Sequence, residues 1–170
     1  MEDLPKRKQI RLKDYDYSQN GYYFITICAR NRKNIFSEIV CMSNDMVCAD
    51  NIYAHYTKCG KWVEIAIQAV SAHYDDVFVD KYVIMPNHIH LILVFDRASI
   101  QTKNGRMISA PTVPVVIGQL KRWVSKQIGF SCWQKSYYEH IIRNEQEYLK
   151  ISEYIQNNPL KWKEDKYYES

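Results

Sequence analysis

The chain has 170 residues, 46% of them hydrophobic and 25% charged, which is enough apolar material for one domain (1–170) with a real core. No apolar run approaches the ~18 residues a membrane span needs, and the charged start Met1–Lys8 lacks the apolar stretch of a signal peptide. Five cysteines (Cys28, Cys41, Cys48, Cys59, Cys132) include no C-x-x-C pair, which argues against a disulfide framework or a zinc knuckle and for reduced thiols in a cytoplasmic protein.

The net charge of +4 accompanies fourteen tyrosines and four tryptophans. Cations interleaved with flat rings suit single-stranded nucleic acid, where phosphates need charge and unstacked bases need partners. A solvated basic surface over a core rich in aromatics has the same composition, so this feature leaves both readings open.

In chain order, residues 1–15 form a basic arm carrying Lys6, Arg7, Lys8, Arg11 and Lys13. Gly21 opens a strand, Tyr22–Cys28, of aromatic and β-branched residues. Residues 35–50 read as a short hairpin turning at Ser43-Asn44-Asp45, and helical spacing of Ile52, Tyr56, Cys59, Val63, Ala66 and Val70 predicts a helix over 52–70. Two strands, Phe78–Met85 and His88–Phe95, meet at Pro86-Asn87, and the second is apolar on both faces, which predicts a central place in its sheet. The polar, turn-rich stretch 96–113 reads as a flexible loop. A second helix is expected over 114–128, with Lys121, Arg122 and Lys126 outward. A strand within 131–142 and a third helix over 145–157 follow, the latter ended by Pro159. The order strand–helix–strand–strand–helix–strand predicts an α+β, ferredoxin-like antiparallel sheet with helices on one face, and the C-terminal helix is an addition to it.

Within Tyr82–Phe95 the run His88-Ile89-His90 stands out. Alternate residues of a strand share a face, so the two imidazoles emerge side by side and are placed to share one divalent ion. The other reading is a pair of core histidines satisfied by hydrogen bonds. Two imidazoles in so apolar a strand leave several ring nitrogens to satisfy, which favours the metal. On the third helix, Tyr148, Ile151 and Ile155 make an apolar stripe, and Tyr154 and Asn158 fall together one turn apart on its edge. As one tyrosine among fourteen and one residue before a proline, each also has an ordinary structural reading.

Three segments resemble a known family: Tyr82–His90, Trp133-Gln134-Lys135-Ser136-Tyr137-Tyr138-Glu139-His140-Ile141-Ile142-Arg143, and Glu153-Tyr154-Ile155-Gln156-Asn157-Asn158-Pro159-Leu160-Lys161-Trp162. Together with Gly21-Tyr22-Tyr23-Phe24 and Asn31-Arg32, they are similar to the REP-associated tyrosine transposases of the HUH single-strand nucleases, over roughly residues 10–163. The resemblance implies that His88 and His90 are metal ligands, Tyr154 the single nucleophile and Asn158 the third protein ligand. It implies a divalent ion, magnesium or manganese, and cleavage of single-stranded or hairpin DNA through a 5′-phosphotyrosine intermediate. Two other readings remain beside it: a hairpin-binding protein that does not cut, and a metal-dependent hydrolase acting through water. Lys6, Arg7, Lys8, Arg11, Lys121, Arg122, Lys126 and Arg143 are candidates for DNA contacts. Tyr22, Tyr23, Tyr137 and Tyr138 could stack bases, though two of them are expected to face the core. No role is assigned to His140. No membrane partner is expected, and a monomer is favoured over a homodimer because no Gly or Pro hinge precedes Glu145.

Overall fold

Along Gly21–Cys28 (β1) Tyr22 alone is exposed and both faces are otherwise wholly or partly covered, which identifies an interior strand. In the computed structural model, which describes residues 20–41, 52–96 and 111–168, β1 lies between two antiparallel neighbours. The further strands are β2 (Ser37–Cys41), β3 (Ile52–Tyr56), β4 (Val77–Ile84), β5 (His88–Phe95) and β6 (Tyr138–Ile142). The helices are α1 (Lys58–Gln68), α2 (Val70–His73), α3 (Val113–Ile128) and α4 (Glu145–Asn157). A four-stranded sheet has the order β4-β5-β1-β6, and β2 and β3 form a separate hairpin. Counting only the strands of the large sheet, this is the antiparallel ferredoxin-like arrangement, with the histidine strand β5 in the interior as its sequence predicts.

The sheet is covered on both sides. Tyr23, Ile25 and Ile27 of β1 and Ile89, Leu91, Leu93 and Phe95 of β5 pack with Val63, Ile67, Val116, Ile117, Leu120 and Val124 of α1 and α3. The other face carries Val83, Met85, Ile92, Val94 and Ile142 under Ile155 of α4 and Trp162. A bulge between Val79 and Lys81 switches the phase of β4. Val77 and Val79 therefore face α1 and α3, as do Tyr82 and Ile84, while Val83 and Met85 face α4.

The expected helix over 52–70 is corrected at its start. Ile52, Ala54 and Tyr56 are partly covered and Tyr53 and His55 exposed, a period of two, and Ile52–Tyr56 pairs with Cys41–Ser37. The spacing of Ile52 and Tyr56 fits one helical turn as well as a strand face, and the hairpin decided between them. Thr57 starts the helix, its hydroxyl accepting from the Gly60 N–H at 3.2 Å. The turn at Ser43-Asn44-Asp45, the basic arm and most of the 96–113 loop lie outside the described residues. No helix of the described residues is long and apolar enough to cross a membrane.

Candidate metal and nucleophile site

Strand register brings the site together. β5 turns Ile89 and Leu91 toward α1 and α3, so His88 and His90 face α4. Opposite His90 on β1 stands Thr26, whose Oγ1 is 2.8 Å from His90 Nδ1. Before β5, Asn87 donates from Nδ2 to the Tyr167 carbonyl at 2.7 Å, which turns its Oδ1 toward His88 Nδ1 at 2.9 Å. His88 Nδ1 must then carry the proton, leaving Nε2 as a lone pair. When Thr26 likewise accepts from His90 Nδ1, both Nε2 lone pairs point at one spot, and the two atoms are 2.9 Å apart. His88 is 0% exposed and His90 1%. Burial above all, opposed by Asp165 and aided by Lys166 and Arg32, pushes His88 down to about 4. Burial, then His88 and Lys166, hold His90 well below the ordinary histidine value. Two neutral imidazoles aimed at each other are a donor pair for a cation.

α4 lies across this face and supplies the other two expected residues. Its N-terminus is set by Asn144, whose Oδ1 accepts from Glu147 N–H at 2.8 Å. Glu147 in turn accepts from the Arg143 N–H at 2.8 Å and meets His140 Nε2 at 2.6 Å. His140 and the Arg143 backbone thus help anchor the helix. One turn from the end, Tyr154 is 39% exposed and places its hydroxyl 3.2 Å from His90 Nε2. Asn158 keeps right-handed helical geometry despite preceding Pro159 (φ −59°, ψ −41°), so it stays in phase with Tyr154. Although it falls at the edge of the apolar stripe, Asn158 is only 2% exposed, and its Oδ1 is buried with no hydrogen-bond partner. A buried amide oxygen left over beside two imidazole lone pairs fits a shared cation. His88, His90 and Asn158 fit a divalent ion bound by nitrogen and oxygen.

The sequence reading missed the segment after α4. Asp165 Oδ2 accepts from Asn158 Nδ2 at 2.9 Å and lies 3.2 Å from the Tyr154 hydroxyl. Its carboxylate and the two histidines have donor atoms within 4.8 Å of one another. Tyr167 lies on the His88 ring with centroids 4.6 Å apart, and Phe24 stacks on His90 at 5.3 Å. Arg32 and Lys166 stand over the Tyr167 ring at 5.5 and 4.9 Å. Arg32 and Asn31 both hold left-handed backbone (φ 50° and 54°), uncommon for residues other than glycine, and this bend carries Arg32 to the site. Nothing in the local sequence pattern marks Asp165, because it reaches the histidines only when the chain turns back through Trp162–Glu164. Burial, then the charge of Asp165, pushes the Tyr154 hydroxyl above the ordinary tyrosine value. Beside it an open depression of about 370 Å³ is lined by Lys150, Glu153, Tyr154, Asn157, Lys161 and Glu164 among others.

The basic residues named from sequence are scattered. Lys6, Arg7, Lys8 and Arg11 lie outside the described residues. Lys121, Arg122 and Lys126 are on α3, which packs on the sheet face away from the histidines. Lys121 is not outward but turned against the chain, donating to the Gln134 carbonyl at 2.7 Å. Arg143 is on the α4 side, in an open depression it shares with Tyr22 and Tyr148. Tyr23 and Tyr137 pack in the core with α1 and α3, while Tyr22 and Tyr138 are each 43% exposed.

No protein-family model matches the chain. A protein of Haemophilus influenzae, itself uncharacterized, is 34% identical over 177 aligned positions, covering 95% of this chain and 93% of that protein. Among solved structures, a REP-associated tyrosine transposase bound to a REP hairpin matches with a TM-score of 0.59 and 21% identity, covering 89% of this chain and 74% of that one. The chain therefore belongs to one family with the Haemophilus influenzae protein, and its fold is that of the REP-associated tyrosine transposase.

Proposed function

We propose that the protein is a metal-dependent single-strand DNA endonuclease and strand transferase of the tyrosine transposase type. The observation that carries this reading is the 3.2 Å approach of the Tyr154 hydroxyl, from α4, to Nε2 of His90 on β5. Residues from separate elements converge there on one polar spot in an otherwise apolar face. The structural neighbour was solved with a hairpin of REP DNA, which supports single-stranded or hairpin DNA as partner.

His88, His90 and Asn158 would hold the ion. When bound, the ion would supply Lewis-acid stabilisation of charge on the scissile phosphate, and magnesium or manganese suits mixed nitrogen and oxygen ligands. Tyr154 attacks phosphorus; the Tyr154 O–P bond forms as the bond from phosphorus to the 3′ oxygen breaks. The phenolic proton leaves Tyr154, the departing 3′ oxygen gains a proton, and a 5′-phosphotyrosyl link results. That link keeps one phosphodiester for another, so a second 3′ hydroxyl can reverse the step and join strands. Phe24, packed against both His90 and Tyr154, keeps water from the inner side of the nucleophile. The open depression along α4 would give a strand its approach, with Lys150 and Lys161 beside Glu153 and Glu164 in its lining.

The competing reading, a hairpin-binding protein that does not cut, draws support from the complete burial of both imidazoles beneath Tyr167. One experiment separates them. The protein is incubated with labelled hairpin DNA carrying single-stranded flanks and Mn(II), then quenched in denaturant. A covalent adduct in the native chain and none in Tyr154→Phe, with hairpin binding retained in both, is expected. An adduct persisting in Tyr154→Phe moves the nucleophile elsewhere, and none in either chain favours the binding protein.

A further inference from the structure

We propose that Asp165 is the anionic member of this centre: its carboxylate shares the divalent ion with His88 and His90 and holds the Tyr154 hydroxyl beside it. The inference rests on the metal reading above and adds a residue that lies outside the strand and helix motifs.

Charge is the first argument. His88, His90 and Asn158 are neutral ligands, and a divalent ion bound by them alone would leave two positive charges in a site whose histidines are 0% and 1% exposed. Such a burial is costly unless compensated. One carboxylate and one phosphodiester together balance the ion's own two charges. Asp165 is the one acidic residue grouped with the histidine pair among the described residues. Its donor oxygen and the imidazole nitrogens lie within 4.8 Å of one another, close to the ~4.4 Å that two bonds of ~2.2 Å span.

Orientation is the second argument. Asp165 Oδ1 accepts from the Tyr167 N–H at 2.7 Å, so the carboxylate is held by its own segment with Oδ2 turned to the site. Oδ2 takes the Asn158 Nδ2–H at 2.9 Å, which fixes that amide with its buried, unpartnered Oδ1 free for the same cation. It also lies 3.2 Å from the Tyr154 hydroxyl. The segment is anchored at both ends, by Trp162 in the apolar layer under α4 and by the Asn87 amide on the Tyr167 carbonyl. A segment held so firmly is a wall of the site.

The test is titration with Mn(II) in the absence of DNA, followed by calorimetry and by the electron paramagnetic resonance of free Mn(II). The native chain should bind one ion, His88→Ala none, and Asp165→Asn at least about tenfold more weakly than native. Asp165→Glu, which restores the charge, should recover binding to within a few-fold. Asp165→Asn binding Mn(II) as tightly as native or more tightly, with His88→Ala still not binding, overturns the role of Asp165 and leaves the histidine centre standing. Native and His88→Ala binding alike overturns the centre itself and this proposal with it. The native chain gives a readout that needs no variant to fold. Mn(II) should shift a carboxylate stretch in the infrared difference spectrum, and the absence of any carboxylate shift overturns the proposal.

Discussion

Asn87 uses both ends of its amide, Nδ2 on the Tyr167 carbonyl and Oδ1 on His88 Nδ1. It therefore sets the His88 tautomer and ties the C-terminal segment to the histidine strand. Asn87→Ala is expected to weaken Mn(II) binding by about 10–100-fold, as loss of such outer partners does, with the far-ultraviolet spectrum unchanged. Unaltered affinity in that variant would mean that Asn87 serves only the turn. Tyr154 presents the opposite case, a group whose surroundings disfavour its ionisation. Burial and the Asp165 charge raise it, so the free protein holds it as a neutral phenol. At this scale the histidines were legible because alternation along a strand needs no partner to define it. Asp165 was not, because seven residues and a change of direction separate it from Asn158, and no periodicity spans such a turn.

The β2–β3 hairpin and α1 meet closely where α1 starts. A Cβ on Gly60 would stand 1.9 Å from the Phe36 carbonyl oxygen, a backbone atom that also accepts from the Thr57 N–H at 3.0 Å. Neither side can yield without breaking the helix start, so Gly60→Ala is expected to destabilise the fold by about 1–3 kcal/mol. A melting temperature lowered by several degrees checks this, and an unchanged one would show that the hairpin shifts freely against α1. Here the sequence misled: Ile52 and Tyr56 suit a helical stripe and a strand face equally. The bulge in β4 was equally hidden. It places Asp80 against the Tyr148 hydroxyl of α4 at 2.6 Å, a contact that exists only once helix and sheet are packed.

For the whole molecule, the buried histidine pair links stability to pH. His88 is held at about 4, below its unfolded value of about 6.5, so the unfolded chain binds more protons in that interval. Stability from this group is fully present above about pH 6.5 and is lost as pH falls toward 4. The urea midpoint of metal-free protein should drop across that window, and the drop should shrink when both histidines are replaced by leucine. An equal drop in the two chains would assign it to other groups. Under the proposed function, Tyr154 and His90 of one chain meet at 3.2 Å, so the site is complete in cis. Mixing His88→Ala with Tyr154→Phe protein should then recover no DNA cleavage, and recovered cleavage would reveal a tyrosine helix exchanged between two chains.

The order of the large sheet's four strands, the interior place of β5, the span of α4 and the shared face of His88 and His90 were determined by local pattern. Each depends on the period of a single element, which a sequence carries in full. Tertiary structure decided the rest. It placed Thr26 against His90 through the β1–β5 register and turned Lys121 onto the 134–135 segment. It also folded Asp165 and Tyr167 back over the histidines and buried Asn158. These depend on which surfaces meet across the chain, and that is settled by how the sheet's two apolar faces are covered, a competition no single segment records.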